Sequence, residues 1–319
     1  MTLGRAKKRV QPAITCRVNR QIDELFINCL VNLVLKGSEP WAADSRGQPH
    51  PPKLVVVCLI LKIFWVTSYD GVEAKLKPWK GLLCEAFGVE RLPKHSTIQE
   101  GMGKVSMKYV RRIMKKVIGR LSKKLIAASD SSGLSTRNSS VWFDIRIKRK
   151  NKRRDCMKLH IVIDVERGYI LDYHLTGGYA NDCPILKKLL RNIKTLFKFV
   201  ADSGYLSREN TVLIGERGGK PYILPKKNST AKARGCTEWK TMIRCWRENE
   251  EGFKEEYHCR SLVEAVFSSL KKRFGSTLKS IRKWYQRRES AMKVLCYNIK
   301  EFLYNWQAEQ MAISRWKIC

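Results

Sequence analysis

The sequence predicts an α/β protein in which an all-helical, basic region precedes a domain with a mixed sheet. Apolar residues recur at helical spacing through the first third of the chain, and β-rich runs begin near Leu125. A late segment, Tyr257–Lys271, again has helical periodicity and carries an acid between cations. We therefore expect a helical, basic region over residues 1–122 and the mixed-sheet domain, with a C-terminal packing helix, over residues 123–319.

The charge balance indicates a polyanionic partner. The 319 residues include 63 Lys and Arg against 29 Asp and Glu, a formal net charge of +34. Hydrophobic residues make up 44%, which is typical of a globular protein and excludes a disordered one. Nucleic acid is the first candidate for the partner, ahead of an anionic membrane surface. Because ribosomal and histone-like proteins share such a charge, it does not by itself indicate an enzyme.

Targeting and cysteine patterns predict a cytoplasmic protein with reduced thiols. No apolar stretch follows the basic N-terminus, so no secretory signal is expected. The longest apolar run, Leu54–Val66, is interrupted by Lys62 and is too short to span a bilayer. The eleven cysteines contain no C-x-x-C pair, which argues against a zinc site and against a secreted disulfide framework.

The pattern of the first third of the chain predicts helices separated by short loops. Residues 1 to about 20 are basic and predict an arm or an irregular segment. Ser96 is the expected N-cap of a helix that opens near His95. The other predictions are a helix over Ile22–Leu35, a loop over Gly37–Pro52, a hydrophobic helix over Lys53–Ser68 and a basic helix over Met102–Ile126.

From Leu125 onward the pattern changes to strands. Two β-rich runs separated by Val-Glu-Arg-Gly predict a hairpin, and a helix capped by Asn181 or Asp182 follows it. A succession of strands, helix, strand, helix, strand and a late acid-bearing helix is the order of a ribonuclease-H-like domain. The predicted strands are Leu125–Asp130, Val141–Arg149, Lys158–Asp164, Tyr169–Leu175, Phe197–Asp202 and Lys220–Pro225.

The segment Tyr257–Lys271 has two distinct faces if it is helical. Leu262, Val263, Val266, Phe267 and Leu270 form one apolar stripe. Tyr257, Arg260, Glu264 and Lys271 lie together on a neighbouring narrow face. A carboxylate flanked by cations suits a site that holds a metal ion and steers an anionic polymer. The alternative is a surface helix with an ordinary Arg260–Glu264 salt bridge, worth a few tenths of a kcal/mol.

The spacing of those four residues resembles a known family. Two, three and six residues separate Tyr257, Arg260, Glu264 and Lys271. This spacing resembles the Tyr-Arg-Glu-Lys signature of insertion-sequence transposases of the IS-four and IS-five superfamily. The resemblance implies that Glu264 is the last acid of an Asp-Asp-Glu triad holding two Mg²⁺ or Mn²⁺ ions. It implies DNA partners, the terminal repeats and the target, and a homodimer or larger synaptic complex. Tyr257, Arg260 and Lys271 would then bind DNA.

The same resemblance guides the choice of the two aspartates. Asp202, followed by Ser-Gly-Tyr, is similar to the family's A-D-x-G-Y block, although an Asp at a strand–helix turn could simply be a cap. Asp130, followed by Ser-Ser-Gly, is similar to the D-S-T/S-G block. Asp164 is a rival first ligand, because it also ends a strand, but it leads directly into a hairpin turn.

Several further residues are candidates around the triad. Lys158-x-His160 is similar to the family's K-x-H block, which makes Lys158 a DNA-binding candidate and His160 a packing group behind the ligands. The second block has Asn181 where the family has His, so Asp182 is expected only to cap a helix. The basic stretch Arg146–Arg154 is either a solvated loop or a phosphate track. Trp239 and Trp246 are expected to pack in the core, with base stacking as the alternative.

Together these observations predict a transposase that cuts DNA and joins it with a metal triad of Asp130, Asp202 and Glu264. Two other functions remain open at this point. A ribonuclease-H-like nuclease without strand transfer would share the triad, and a non-catalytic DNA-binding descendant of a transposase would need only the charge.

Overall fold

The computed structural model describes residues 18–42, 50–136, 156–232 and 235–311. The described residues divide into two compact units. The first contains residues up to 119 together with 273–275 and those from 280 onward, and the second contains 120–272 and 276–279. The predicted boundary at residue 122 lies close to the first division. The helix after residue 280, which was predicted within the second domain, belongs instead to the first unit.

Within its described residues the first unit consists of helices. Ser68 caps the third of them through Gly71 N, so the predicted helix Lys53–Ser68 ends earlier, at Phe64. The helices are α1 (Ile22–Leu35), α2 (Pro52–Phe64), α3 (Tyr69–Leu76), α4 (Lys80–Phe87), α5 (His95–Lys104) and α6 (Met107–Ile118), and near the end of the chain a long helix (Lys283–Gln310).

Two predicted helix starts are wrong. In both, a side chain other than the predicted one accepts a hydrogen bond from an amide of the first turn. The predicted helix Met102–Ile126 is broken at Val105, because Ser106 Oγ accepts from Tyr109 N and begins α6. Ser96 does not cap α5. Instead Glu73 Oε2, from α3, accepts a hydrogen bond from His95 N at 2.8 Å.

The core of the first unit is built around α2, whose residues 54–64 are all buried. Phe64 stacks on Phe26 of α1 with ring centroids 3.8 Å apart. The helix Lys283–Gln310 packs against α1, α2 and α6, with residues 289–299 buried. That burial explains why this helix joins the first unit. No single described helix is long and apolar enough to cross a membrane; only a pair bent by 107°, Pro52–Phe64 with Tyr69–Phe87, meets the length and composition requirement.

The second unit contains a five-stranded mixed sheet with short helices. Its strands are β1 (Ile126–Ser135), β2 (Cys156–Asp164), β3 (Ile170–Gly177), β4 (Lys198–Ala201) and β5 (Lys220–Ile223). Its helices are α7 (Leu186–Leu189), α8 (Arg208–Gly215), α9 (Thr237–Glu248), α10 (Glu250–Tyr257) and α11 (Ser261–Phe274), and the long C-terminal helix is therefore α12.

The strand order is β3-β2-β1-β4-β5. β2 pairs antiparallel with both β1 and β3, which confirms the predicted hairpin. β4 pairs parallel with both β1 and β5, so the sheet is mixed, as predicted. The helix expected after Asn181 or Asp182 is short, a 3₁₀ turn followed by one turn of α7. The predicted strand Val141–Arg149 lies outside the described residues.

Candidate active site

Asp130 and Asp202 come from neighbouring parallel strands. Ser129 of β1 pairs with Ala201 of β4, so the next residue on each strand is one of the two aspartates. Asp130 lies in the middle of β1, which continues to Ser135, and its Oδ1 accepts from Ser131 N at 2.8 Å. Asp202 directly follows β4, and its Oδ1 accepts from Gly204 N at 2.9 Å. The mixed pairing of the sheet therefore puts these two carboxylates side by side.

Asp164, the rival first acid, lies elsewhere on the sheet. It pairs with Ala127, three positions before Asp130 on β1, which is about 10 Å along the strand. Its buried carboxylate accepts from the backbone of Glu166 and Arg167 and from Arg167 Nε at 2.8 Å. These bonds close the turn between β2 and β3. The position and the bonds of Asp164 favour Asp130 as the partner of Asp202.

Glu264 is carried by α11, which packs through the predicted apolar stripe. Val263, Val266, Phe267 and Leu270 are buried, while the Glu264 side chain is 59% exposed. The segment is not one continuous helix, because α10 ends at Tyr257 and a 3₁₀ turn over His258–Arg260 precedes α11. Gly275, with φ +79°, follows the last residue of α11 and ends the helix as expected.

Arg260 connects the helix acid to the first strand acid. Its Nη1 lies 2.8 Å from Glu264 Oε1, the i,i+4 salt bridge that the alternative interpretation of this segment predicted. Its Nη2 lies 3.0 Å from Asp130 Oδ2. Arg260 Nε is buried and has no hydrogen-bond partner in the described part of the chain. One donor thus remains for another acceptor, such as a phosphate oxygen.

Burial and neighbouring carboxylates raise the pKa of one acid of the site, Asp130. Burial raises the pKa of Asp130, and the nearby Asp202 and Glu264 raise it further, while Ser131 N and Arg260 lower it. Burial also raises the pKa of Tyr257, and the charges of the same three carboxylates, Asp130, Asp202 and Glu264, raise it further. The site therefore has negative charge that Arg260 compensates only in part.

Lys271 and Lys158 lie on either side of β1. Lys271 Nζ donates to Ser132 Oγ at 2.7 Å, and burial lowers the pKa of this amine. Lys158 Nζ lies 2.7 Å from Asp182 Oδ1. Of the two predicted DNA-binding lysines, Lys271 therefore contacts the strand that carries Asp130, and Lys158 contacts Asp182. The basic stretch Arg146–Arg154 lies outside the described residues.

Asp182 has more contacts than the capping role predicted for it. Its side chain makes no cap hydrogen bond to the following 3₁₀ turn. Its carboxylate instead contacts Lys158, accepts from Ser131 Oγ at 3.1 Å, and lies 3.2 Å from His160 Nδ1. The capping prediction is therefore wrong, because three groups from the sheet outcompete the turn amides. The Lys-x-His spacing on β2 was the sequence signal that could have found this cluster.

His160 is buried at the base of that cluster. Its Nε2 lies 2.8 Å from Thr176 Oγ1 and its Nδ1 faces Tyr205 Oη at 3.4 Å. Burial lowers the pKa of His160 to about 4, so the ring is neutral at pH 7; Asp182 opposes this shift, and Lys158 adds to it. A neutral, enclosed imidazole fits the packing group that was predicted.

Gly204 allows Asp182 and Asp202 to approach each other. A Cβ at this position would stand 3.0 Å from Asp202 Oδ1 and 3.2 Å from Asp182 Oδ2. Both distances are tighter than ordinary contacts, so the lack of a side chain is required for the close approach. Asp182 is consequently a fourth carboxylate beside the predicted triad.

Lys198 positions the helix that precedes Arg260. This lysine, at the start of β4, is 7% exposed, and its Nζ forms an ion pair with Glu256, next to Tyr257. It also donates to Glu256 O at 3.4 Å. A buried lysine costs free energy unless it is paired, so this contact fixes the end of α10 against the sheet. Nothing in the local sequence marked Lys198, because its partner lies 58 residues away.

The chemical type of the side chains at the site fits a divalent ion that prefers oxygen ligands. Asp130, Asp202 and Glu264 supply carboxylate oxygens, the ligands that Mg²⁺ and Mn²⁺ prefer. Across the described residues, however, no three Asp, Glu, His or Cys side chains stand close enough together to hold a metal ion as arranged. Arg260 occupies the space between Asp130 and Glu264. Ion binding would thus require Arg260 or Glu264 to turn.

Comparison with known proteins identifies a family for the region that contains these acids. Residues 121–299 match the family described as the transposase DDE domain. The chain belongs to the transposase DDE domain family. The matched region contains all five strands and the helix that carries Glu264.

One curated relative of this DDE-domain chain is the probable transposase for insertion sequence element ISA1214 of Archaeoglobus fulgidus. The two are 27% identical over 169 residues, which is 52% of this chain and 50% of the relative. This chain therefore spans about half the length of the curated relative it matches.

Two solved structures are distantly similar to the chain. One is a piggyBac transposase synaptic complex with hairpin DNA, at 11% identity and a TM-score of 0.43, covering 91% of this chain and 73% of that one. The other is the Drosophila P element transposase strand transfer complex, at 11% identity and a TM-score of 0.30, covering 94% and 88%. At these TM-scores the two structures add nothing to the description of the site.

Proposed function

We propose that this chain is an insertion-sequence transposase that cleaves the ends of its element and joins the freed 3′-hydroxyls to target DNA. The observation that carries the proposal is the side-by-side position of Asp130 and Asp202, with Arg260 linking Asp130 to Glu264, in a chain of the transposase DDE domain family. The Tyr-Arg-Glu-Lys spacing supports assignment to the IS-four and IS-five group.

The second unit is, on this proposal, a ribonuclease-H-like catalytic domain, with the helical region binding element ends. In that fold, carboxylates from the first strand, the neighbouring fourth strand and a later helix serve one site. Asp130 on β1, Asp202 after β4 and Glu264 on α11 have this distribution. The pairing of β1 with β4 supports the assignment.

Asp130, Asp202 and Glu264 would hold two Mg²⁺ or Mn²⁺ ions. When bound, such ions activate the attacking oxygen and stabilise the leaving oxygen of a phosphodiester. The chain's own cations then position the DNA. Arg260, whose Nε donor is unused, would contact phosphates together with Lys271. Lys158 and Tyr257 would lie beside them.

The proposed reaction has two phosphoryl-transfer steps, a hydrolysis followed by a transesterification. In the first, the oxygen of a water bonds to phosphorus at the element end, the bond from phosphorus to O3′ breaks, and a 3′-hydroxyl and a 5′-phosphate remain. In the second, that 3′-oxygen bonds to a target phosphorus and displaces the target's own 3′-oxygen, so the number of phosphodiester bonds is unchanged. No external energy source is required.

The proposed partners are the terminal repeats of the element and the target DNA, in the cytoplasm. The net charge of +34 supports a polyanionic partner. A homodimer or larger complex would bring two element ends together. This part of the proposal rests on the family resemblance alone.

The test is cleavage of labelled duplexes carrying the sequences that flank the gene on each side, with Mg²⁺ or Mn²⁺. Wild type is compared with Glu264→Gln, Asp130→Asn and Asp202→Asn, and binding is measured in parallel without divalent ions. Glu255→Gln is the matched control, since this exposed acid on α10 lies outside the proposed triad. We expect loss of cleavage by at least about a hundredfold in the triad variants, with binding and the control unchanged.

The remaining outcomes separate the alternatives. Cleavage without joining to a target plasmid would identify a nuclease. Tight binding without cleavage by wild type would identify a DNA-binding descendant. If Asp130→Asn cleaved normally while Asp164→Asn did not, Asp164 would replace Asp130 as the first ligand.

A further inference from the structure

Apolar side chains are exposed at the start of α12 and just before it. We call residues 281–288 the aromatic–basic segment. Ile281, just before α12, is 88% exposed, and Trp284, in its first turn, is 43% exposed, although the middle of this helix is buried. By contrast, Trp239 is buried and donates to Thr230 O, and Trp246 packs edge-on against Phe253, as core packing predicts. The aromatic–basic segment therefore needs a different explanation.

The ring of Trp284 packs against neighbouring side chains. Its ring stacks on Tyr285, with centroids 3.9 Å apart and planes 22° apart. The Tyr285 hydroxyl lies next to Gly103 of α5, since a Cβ at that position would stand 3.3 Å from it. The Arg288 guanidinium lies 4.8 Å from the Trp284 ring centroid. Trp284 is thus a supported aromatic surface with part of its area open to solvent.

The cations of this segment are not neutralised. Arg282, Lys283, Arg287 and Arg288 fall within eight residues that contain no acid, and none of the four forms an ion pair with a described residue. Arg288 Nη1 is buried and has no hydrogen-bond partner in the described ranges. The neighbouring acid, Glu289, is buried and accepts from Ser280 N at 2.8 Å. A ligand with acceptor oxygens and a flat apolar face would satisfy both features at once.

We propose that the aromatic–basic segment binds an unpaired DNA strand, with a base stacked on Trp284 and an adjacent base against Ile281. Arg282, Lys283 and Arg287 contact the flanking phosphates, and the Arg288 guanidinium stays beside the Trp284 ring. Base–aromatic stacking tolerates any sequence, because every base has a π-face. In an intact duplex the bases are stacked on one another, so the segment discriminates in favour of unpaired ends. This inference rests on the proposed DNA-transposing function.

The experiment measures binding of the full chain to a labelled 20-nucleotide single strand and to a hairpin duplex of the same sequence, in EDTA. We expect Trp284→Ala to weaken single-strand binding by roughly 5- to 100-fold, the effect of losing one stacked base, and duplex binding by less than twofold. Trp284→Phe retains part of the affinity. Trp306→Ala is the matched control, since Trp306 is equally exposed, at 42%, on the same helix.

Salt dependence tests the phosphate contacts separately. We expect Arg282→Gln to lower the slope of log affinity against log salt by about 0.7 for the single strand. Equal losses on single strand and duplex in Trp284→Ala would overturn the stacking proposal, and no loss on either would overturn binding by this segment. Cleavage is scored independently. A wild type that never cleaves but shows the Trp284 effect refutes the proposed function alone, whereas normal cleavage without the Trp284 effect refutes this inference alone.

Discussion

The guanidinium of Arg260 lies 3.0 Å from the carboxylate of Asp130, although 130 residues separate them in the sequence. The same group holds Glu264 at 2.8 Å. A single cation thus keeps the strand acid and the helix acid near each other before any divalent ion is present. It lowers the repulsion among carboxylates that would otherwise oppose their approach.

Replacement of Arg260 tests this bridging role. Arg260 uses two separate nitrogens for two acids, and a lysine cannot reproduce that fork. We expect Arg260→Ala to reduce single-turnover cleavage roughly a hundredfold and Arg260→Lys roughly tenfold. Arg244→Ala, an exposed arginine on α9, is the control. Equal activity of Arg260→Lys and wild type would show that only the charge at this position matters.

Substitution of Gly204 tests the close approach of Asp182 and Asp202. An alanine Cβ would crowd both carboxylates, at 3.0 and 3.2 Å, and would move them by a few tenths of an ångström. We expect Gly204→Ala to retain the fold and to lose roughly tenfold in cleavage rate, because ligand geometry is sensitive at this scale. Gly177→Ala, at the end of β3, is the control, since its Cβ would meet nothing within 4 Å. A fully active Gly204→Ala would place Asp182 outside the catalytic machinery.

The parts of the fold that could be predicted are those with local signals. The hairpin β2–β3 and the strand β4 follow from alternation and from turn residues next to them. Glu264 and Arg260 follow from their spacing along the chain. Asp130 could be preferred to Asp164 from its neighbours, but only the strand pairing puts it next to Asp202.

The parts that could not be predicted depend on partners distant in sequence. Glu73 replaces Ser96 at the start of α5 from 22 residues away. Asp182 is held by Ser131, 51 residues earlier, rather than by its own turn. In each case a local rule was overridden by a tertiary contact that no window of sequence contains.

Substitution of two glycines in the helical unit compares the cost of overpacking with the gain from the higher helix propensity of alanine. A Cβ at Gly101 on α5 would stand 2.4 Å from Val55 Cγ1 on α2, too close without movement. Overpacking costs about 1–3 kcal/mol, against roughly 1 kcal/mol gained from alanine in a helix, so Gly101→Ala should be destabilising. Gly81→Ala on α4 meets nothing within 4 Å and should be stabilising by up to about 1 kcal/mol. Urea unfolding measures both, and a stabilised Gly101→Ala would mean that α5 and α2 separate easily.

The buried His160 makes stability depend on pH. Burial lowers its pKa from 6.5 to about 4 in the folded chain; Asp182 raises it, while Lys158 and His174 lower it. The unfolded chain therefore binds a proton between pH 6.5 and 4 that the folded chain does not. Stability from this group is complete above pH 6.5 and is lost as pH falls toward 4, by about 3 kcal/mol for a wholly buried ring.

The measurement is the free energy of unfolding at pH 7.5 and pH 4.5 for wild type and His160→Gln. Glutamine keeps a neutral group able to donate to Thr176, so the variant should remain folded at pH 7.5. Because other titrating groups act equally in both proteins, their effects cancel in the difference, and wild type should lose about 2–3 kcal/mol more than the variant on acidification. Identical losses would mean that the folded chain accommodates a protonated His160, with the Asp182 carboxylate compensating its charge.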